Sequence, residues 1–121
     1  MTTETIKWSE LSARERDELV ALKVMGWRKD HGWDYFADGL TIRTWKESSF
    51  KRFQPSTDIS AAWEVVEELS ARGLYLDIDT HPDFYLVDVQ RRNNVVAYSV
   101  ATTAPEAICL AALKAVGVDI E

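Results

Sequence analysis

Cysteine, basic residues and long apolar runs are all scarce in this sequence of 121 residues. Cys109 is the only cysteine, so an intrachain disulfide is impossible and a zinc site built from several cysteines is excluded. Lysine and arginine number 14 against 20 aspartates and glutamates, giving a net charge of −6. Because phosphate affinity comes mainly from clustered basic side chains, we expect no general nucleic-acid binding. No apolar run approaches the roughly 20 residues needed to cross a bilayer, so we expect no membrane association.

The remaining composition is that of one folded domain covering residues 1–121. Hydrophobic residues make up 46% of the chain and charged residues 28%, which is neither a disordered nor a fibrous composition. The first ten residues are polar and lack the apolar region of a signal peptide. These features predict a soluble protein of the cytoplasm.

Three helices are predicted from capping residues and apolar spacing. Ser12 and Glu15 have the spacing of a capping box, and the helix they open should end near Gly26. Thr103 and Glu106 have the same spacing, with a proline in the first turn, before a third helix rich in small residues.

The second helix has the clearest apolar stripe, and it follows the stretch QPSTD at residues 54–58. Spacings of three and four place these side chains on one helical face: Ile59, Ala62, Trp63, Val66 and Leu69. We expect that face, with Trp63 and Val66, to pack against a sheet.

Three strands are predicted between the second and third helices, at residues 74–79, 84–90 and 95–100. Short turns between them favour an antiparallel meander. The last two strands are apolar at both parities, which is typical of strands buried on both faces. Residues 28–55 have no strong period except a strand-like piece at 40–45, and form an irregular insert rich in aromatic and basic residues. The order of elements predicts an α+β fold, an α/β/α sandwich with a mainly antiparallel sheet of three to four strands and helices on both faces.

Three blocks of the chain resemble the phage ABA-sandwich family of small phage and prophage proteins. They are KVMGW at 23–27, STDI with AAWEVV at 56–66, and TAPEAIC with AAL at 103–113. The resemblance implies an α/β/α sandwich and supplies no catalytic residue. It is weakest over residues 28–55.

Two regions are candidates for binding. The start of the second helix could bind an anion through its free backbone N–H groups near Ser56 and Thr57, but simple capping of the helix is favoured. In the insert, aromatic side chains beside cations could contact a partner or a base, or could form a small satellite core. The candidate binding residues in the insert are Trp33, Tyr35, Trp45, Lys51 and Arg52.

Other candidate chemistry is weak. Alternation along the first predicted strand puts Asp77, Asp79 and His81 on one face, where they could hold a divalent metal, but nothing in the sequence completes the ligand shell. Cys109 lies among alanines and is expected to be buried packing and not a nucleophile. We therefore expect no metal site, no cofactor and no catalytic residue.

The function favoured by these observations is that of a non-enzymatic phage accessory protein that binds a host or phage component in the bacterial cytoplasm. One alternative is a protein that sequesters a small anionic ligand, such as a nucleotide signal used in host defence. A second alternative is a metal-dependent hydrolase built on Asp77, Asp79 and His81. The partner is an unknown host or phage protein or a small anionic ligand, and a homo-oligomer is left open.

Overall fold

A computed structural model describes residues 5–30, 34–37, 41–44 and 53–121. A short 3-10 helix at Trp8–Glu10 precedes three α-helices: α1 (Ala13–Lys23), α2 (Ile59–Ala71) and α3 (Ala104–Ala115). The residues described include six strands: β1 (Arg28–Asp30), β2 (Asp34–Ala37), β3 (Thr41–Thr44), β4 (Tyr75–Thr80), β5 (Tyr85–Arg91) and β6 (Asn94–Ala101). Within these ranges none of the helices has the length and apolar character that a bilayer crossing requires.

Both predicted helix caps are confirmed. Ser12 Oγ accepts the backbone N–H of Glu15 at 3.1 Å, while Glu15 Oε1 accepts the backbone N–H of Ser12 at 2.9 Å. Thr103 Oγ1 accepts the backbone N–H of Glu106 at 3.4 Å, with proline in the first turn of α3. These bonds satisfy backbone donors that the helix itself leaves without a partner.

The predicted meander is also confirmed, because β4, β5 and β6 form an antiparallel sheet in that order. Arg92 and Asn93 make the tight turn between β5 and β6, with φ angles of 51° and 67°. An irregularity between Val89 and Gln90 shifts the β5–β6 register by one residue. The α+β class with an antiparallel sheet is therefore confirmed.

Helix α3 lies at the centre of the core. All seven residues from Ala107 to Leu113 are buried, because the helix contacts β5 and β6 on one side and α1 and α2 on others. Its alanines present little side chain, which allows neighbouring elements to approach closely. Arg16 of α1 adds an ion pair to Glu106 of α3, with 3.1 Å between Nη1 and Oε2.

The predicted buried face of α2 is wrong in part. Trp63 and Ile59 are each 51% exposed, whereas the fully buried side chains are those of Ala61, Ala62, Val65 and Leu69. The helix is rotated toward its alanines because α2 packs against α3 as well as β4. Close helix packing places the small residues inward and turns the tryptophan out.

The β4–β5–β6 sheet is covered on one face by the described helices. Val87 and Val89 of β5 are fully buried, and Ser99 and Ala101 of β6 are buried on the same face. The other face leaves Tyr98 62% exposed. The described helices that contact this sheet lie on one face of it, and the prediction that β6 is buried on both faces is wrong.

A second antiparallel sheet is formed by β1, β2 and β3 in residues 28–44. The sequence predicts a single strand here, at residues 40–45, and the structure has three. Strands of three or four residues are too short to give a clear alternation, which explains why the sequence pattern showed only one of them.

Candidate functional site

The residues predicted to bind a partner in the insert fall largely outside the described residues. These are Trp33, Trp45, Lys51 and Arg52. Tyr35 lies in β2, opposite Lys29 of β1 and Arg43 of β3 in the strand register. A role for these residues in binding stays a prediction.

The start of α2 is closed by capping and by a buried carboxylate. Asp58 is the N-cap residue, and its Oδ1 accepts the N–H of Ser60 at 3.1 Å. The N–H of Ser56 donates to Asp17 Oδ1 at 2.7 Å, and the N–H groups of Thr57 and Asp58 donate to the carbonyl of Gln54. These four donors already have partners, so the geometry favours the capping interpretation. Anion binding at Ser56 and Thr57 stays a prediction.

Asp17 is a buried residue for which the sequence predicts no role. It lies in α1, is 1% exposed, and connects that helix to a turn 39 residues away in sequence. Ser56 is buried too, and among the described residues its Oγ has no hydrogen-bond partner. Nothing in the local pattern around Asp17 distinguishes it from the solvent-facing carboxylates of α1, which is why it was missed.

Cys109 is a packing residue, as expected. Its side chain is fully buried in α3. Burial raises the pKa of the Cys109 thiol well above its ordinary value of 9.0, and the negative charges of Asp17 and Glu106 raise it further. A thiol held protonated in this way is a poor nucleophile and a poor metal ligand.

The residues considered for a metal do not converge. Asp77 and Asp79 both project from the exposed side of β4, as the alternation predicts. His81 follows the strand, and its ring stacks on Phe84 with 4.3 Å between ring centroids. Across the described residues, no three of the side chains able to hold a metal ion are grouped together. The metal-dependent hydrolase is therefore not supported.

A feature that the sequence did not predict is the face of the β4–β5–β6 sheet that none of the described helices covers, here called the outer sheet face. The strand registers place nine side chains on it: Tyr75, Asp77, Asp79, Leu86, Asp88, Gln90, Val95, Tyr98 and Val100. Along β6, Val95, Tyr98 and Val100 are each more than half exposed. On the far side of β5, the β4 edge carries Asp77 and Asp79, so the face is apolar along β6 and acidic along β4.

The edge of β6 adds to this surface. Val96, at the shifted register, is also exposed. A hollow of about 470 Å³ lies beside it, lined by Val95, Val96, Ala97, Tyr98 and Lys114. Lys114 Nζ donates to the Tyr98 carbonyl at 3.4 Å. In the sequence, apolar residues at both odd and even positions of 95–100 are the signal for this surface. The same pattern also predicts a strand buried on both faces, which is why the exposed surface was not expected.

A second open feature lies at the end of the sheet where β4 begins. We call it the arginine recess: a space of about 410 Å³ lined by Arg72, Gly73, Tyr75, Arg91 and Arg92. Arg72 follows α2, and its Nη2 lies 2.9 Å from Glu68 Oε2. The recess concentrates three cations in a chain whose net charge is −6.

A match to a family model identifies the family. A family model for the phage ABA sandwich domain matches residues 18–113, which is most of the chain. The chain belongs to the phage ABA sandwich domain family. No curated protein and no solved structure matches it.

Proposed function

We propose that this protein is a non-enzymatic phage accessory protein that binds a host or phage protein in the cytoplasm of the bacterial host. The observation that carries the proposal is the apolar half of the outer sheet face. Exposed apolar side chains grouped on one face of a sheet can mark an interaction site when the patch they form is large and rimmed by polar residues. Membership of a phage domain family supports a role in infection or lysogeny.

Burial of the β6 side chains by a partner would contribute a useful part of the binding free energy. Full burial of a Val or Tyr side chain is worth about 1.5–3 kcal/mol. Val95, Tyr98 and Val100 are each more than half exposed, so a partner that covers all three gains about 2–4 kcal/mol. That is roughly a 30- to 1,000-fold difference in dissociation constant.

The charge of the outer sheet face defines the chemistry of the partner. Asp88 of β5 lies opposite Tyr98, and Asp77 and Asp79 of β4 lie one strand further from β6. A complementary partner surface places apolar side chains against β6 and lysine or arginine against β4. Such pairing favours fast association that weakens as salt screens the charges.

The test compares two matched double variants of the tagged protein in a lysate of infected or lysogenic cells. Tyr98→Ser with Val100→Ser removes two of the three exposed apolar side chains of β6 on the outer sheet face. Ile59→Ser with Trp63→Ser removes two apolar side chains of similar exposure on α2. The parent and the α2 variant should recover the same partner, and the β6 variant should not. Recovery by the β6 variant at the parent's level, with both variants folded, would contradict the proposal.

Self-association of the outer sheet face is a separate outcome of the same comparison. Light scattering of the purified parent and of the β6 variant reports it directly. If the parent is a dimer and the β6 variant is a monomer, a second copy of the chain occupies the outer sheet face. That result would contradict binding of a different protein there.

A second candidate function is the sequestration of a small anionic ligand, such as a nucleotide signal. The arginine recess favours it, because phosphate groups are bound by arginine side chains with paired hydrogen bonds. The aromatic and basic residues of the insert remain a further predicted source of contacts for such a ligand.

A further inference from the structure

The arginine recess is shaped by two chain reversals that meet at one end of the sheet. Gly73, with a φ of 80°, ends α2 and turns the chain into β4. Tyr75 starts β4, and the β5–β6 turn brings Arg91 and Arg92 beside it. We propose that this recess binds the phosphate groups of a nucleotide-sized ligand, an inference that rests on the second candidate function.

The cations in the recess are available to an anion. Arg91 and Arg92 are exposed, and neither has an ion-pair partner among the described residues. Glu68 holds the guanidinium of Arg72, with both Nε and Nη2 at 2.9 Å from Oε2. That contact positions Arg72 and offsets part of its charge, so Arg91 and Arg92 supply most of the attraction.

The β5–β6 turn holds an arginine in a backbone conformation that is unfavourable for it, which supports a binding role for its side chain. Arg92 has a φ of 51°, a left-handed conformation in which glycine or asparagine is usual. Asn93, the next residue, fits that conformation, whereas a long side chain at Arg92 is strained. Residues held in sparsely populated backbone conformations cluster at functional sites, and the Arg92 side chain lines the recess.

Tyr75 and the size of the recess indicate which phosphate ligand fits. The Tyr75 side chain is 59% exposed and lines the recess, so its ring offers a face on which a base can stack. The volume of about 410 Å³ lies within the range of small-molecule sites. A nucleoside diphosphate would use both features, whereas inorganic phosphate would use only the arginines.

The test is calorimetric titration with ADP, adenosine and inorganic phosphate. The parent should bind ADP saturably, and more tightly than either of the other two. Arg91→Gln should weaken ADP binding roughly tenfold or more, as loss of a charge-assisted contact does. A double variant at exposed sites outside the recess, Lys7→Gln with Lys23→Gln, controls for net charge and should bind ADP nearly as well as the parent.

Arg92→Asn separates a binding role from a structural one. Asparagine tolerates the left-handed backbone, so this variant should unfold at a higher temperature while it binds ADP more weakly. Absence of saturable ADP binding by the parent, or ADP affinity unchanged in both arginine variants, would overturn the inference. Loss of ADP binding in the Lys7 and Lys23 control alone would overturn it as well.

The outer sheet face is tested independently in the same titration. Tyr98→Ser with Val100→Ser should leave ADP binding unchanged, since neither residue lines the recess. A failed ADP titration together with a protein partner that requires Tyr98 and Val100 rejects the recess alone. The reverse pattern rejects the outer sheet face alone.

Discussion

Asp17 should be one of the most sensitive positions of the fold. Its carboxylate is buried and accepts the Ser56 N–H at 2.7 Å, which holds the turn before α2 against α1. Asp17→Ala leaves that buried N–H without its acceptor, at a cost of about 1–3 kcal/mol, and also leaves a small void. We expect a total loss of about 2–4 kcal/mol from the free energy of unfolding.

Urea denaturation followed by tryptophan fluorescence measures that loss. Two further variants provide the comparison. Asp17→Asn keeps a carbonyl acceptor but loses the charge, so its loss should be about 1 kcal/mol. Glu10→Ala changes an exposed carboxylate and should stay within about 0.5 kcal/mol of the parent. An Asp17→Ala midpoint equal to that of Glu10→Ala, at an unchanged slope, would refute this account of the α1–α2 junction.

Three further predictions concern single side chains. Ser12→Ala should raise the pKa of Glu15 only in part, because the Ser12 backbone N–H, the larger cause of a pKa below the ordinary value of 4.5, still donates to the carboxylate and only the hydroxyl is lost; carboxyl NMR titration measures it. Because that folded-state pKa is depressed, the stabilising contribution is present above about pH 4.5 and is lost as the pH falls through the folded value. Cys109 should react with a thiol reagent only as fast as the protein unfolds, and reaction at the rate of a free thiol in native buffer would disagree with its burial. Leu69→Ala should cost about 2–5 kcal/mol and Trp63→Ala only about 1–2 kcal/mol, and chemical denaturation showing the opposite order would restore the helix face predicted from sequence.

Local signals in the sequence were sufficient for the helix ends and for the meander. A capping residue acts on backbone donors two or three positions away, so Ser12 and Thr103 could be interpreted without any knowledge of the fold. The turns between strands are equally local. These features account for the agreement in element order.

The orientation of α2 could not be obtained in the same way. The stripe through Ile59, Trp63 and Val66 is more hydrophobic than the alanine face that is actually buried. Which face is buried depends on the shape of α3, whose small residues need a close neighbour. Asp17 presents the same difficulty, because its partner is 39 residues away.

The outer sheet face illustrates a different limit. Apolar residues on both faces of β6 favour burial of both faces, but do not indicate what would cover each of them. Helices of the same chain and a separate partner give the same pattern in the sequence. Only the packing of α2 and α3 on one face shows that the apolar strip is open.

Site-specific photo-crosslinking tests the central claim most directly. The variant Tyr98→p-benzoylphenylalanine places the reactive group on the outer sheet face, and Glu67→p-benzoylphenylalanine places it on an exposed position of α2 as a control. In lysogenic or infected cells, irradiation should give a discrete protein adduct from position 98 and none from position 67, with the yield falling as salt rises in a lysate. An adduct from position 67 alone, or none from position 98 while the partner still co-purifies, would contradict the proposal that this protein binds through the outer sheet face.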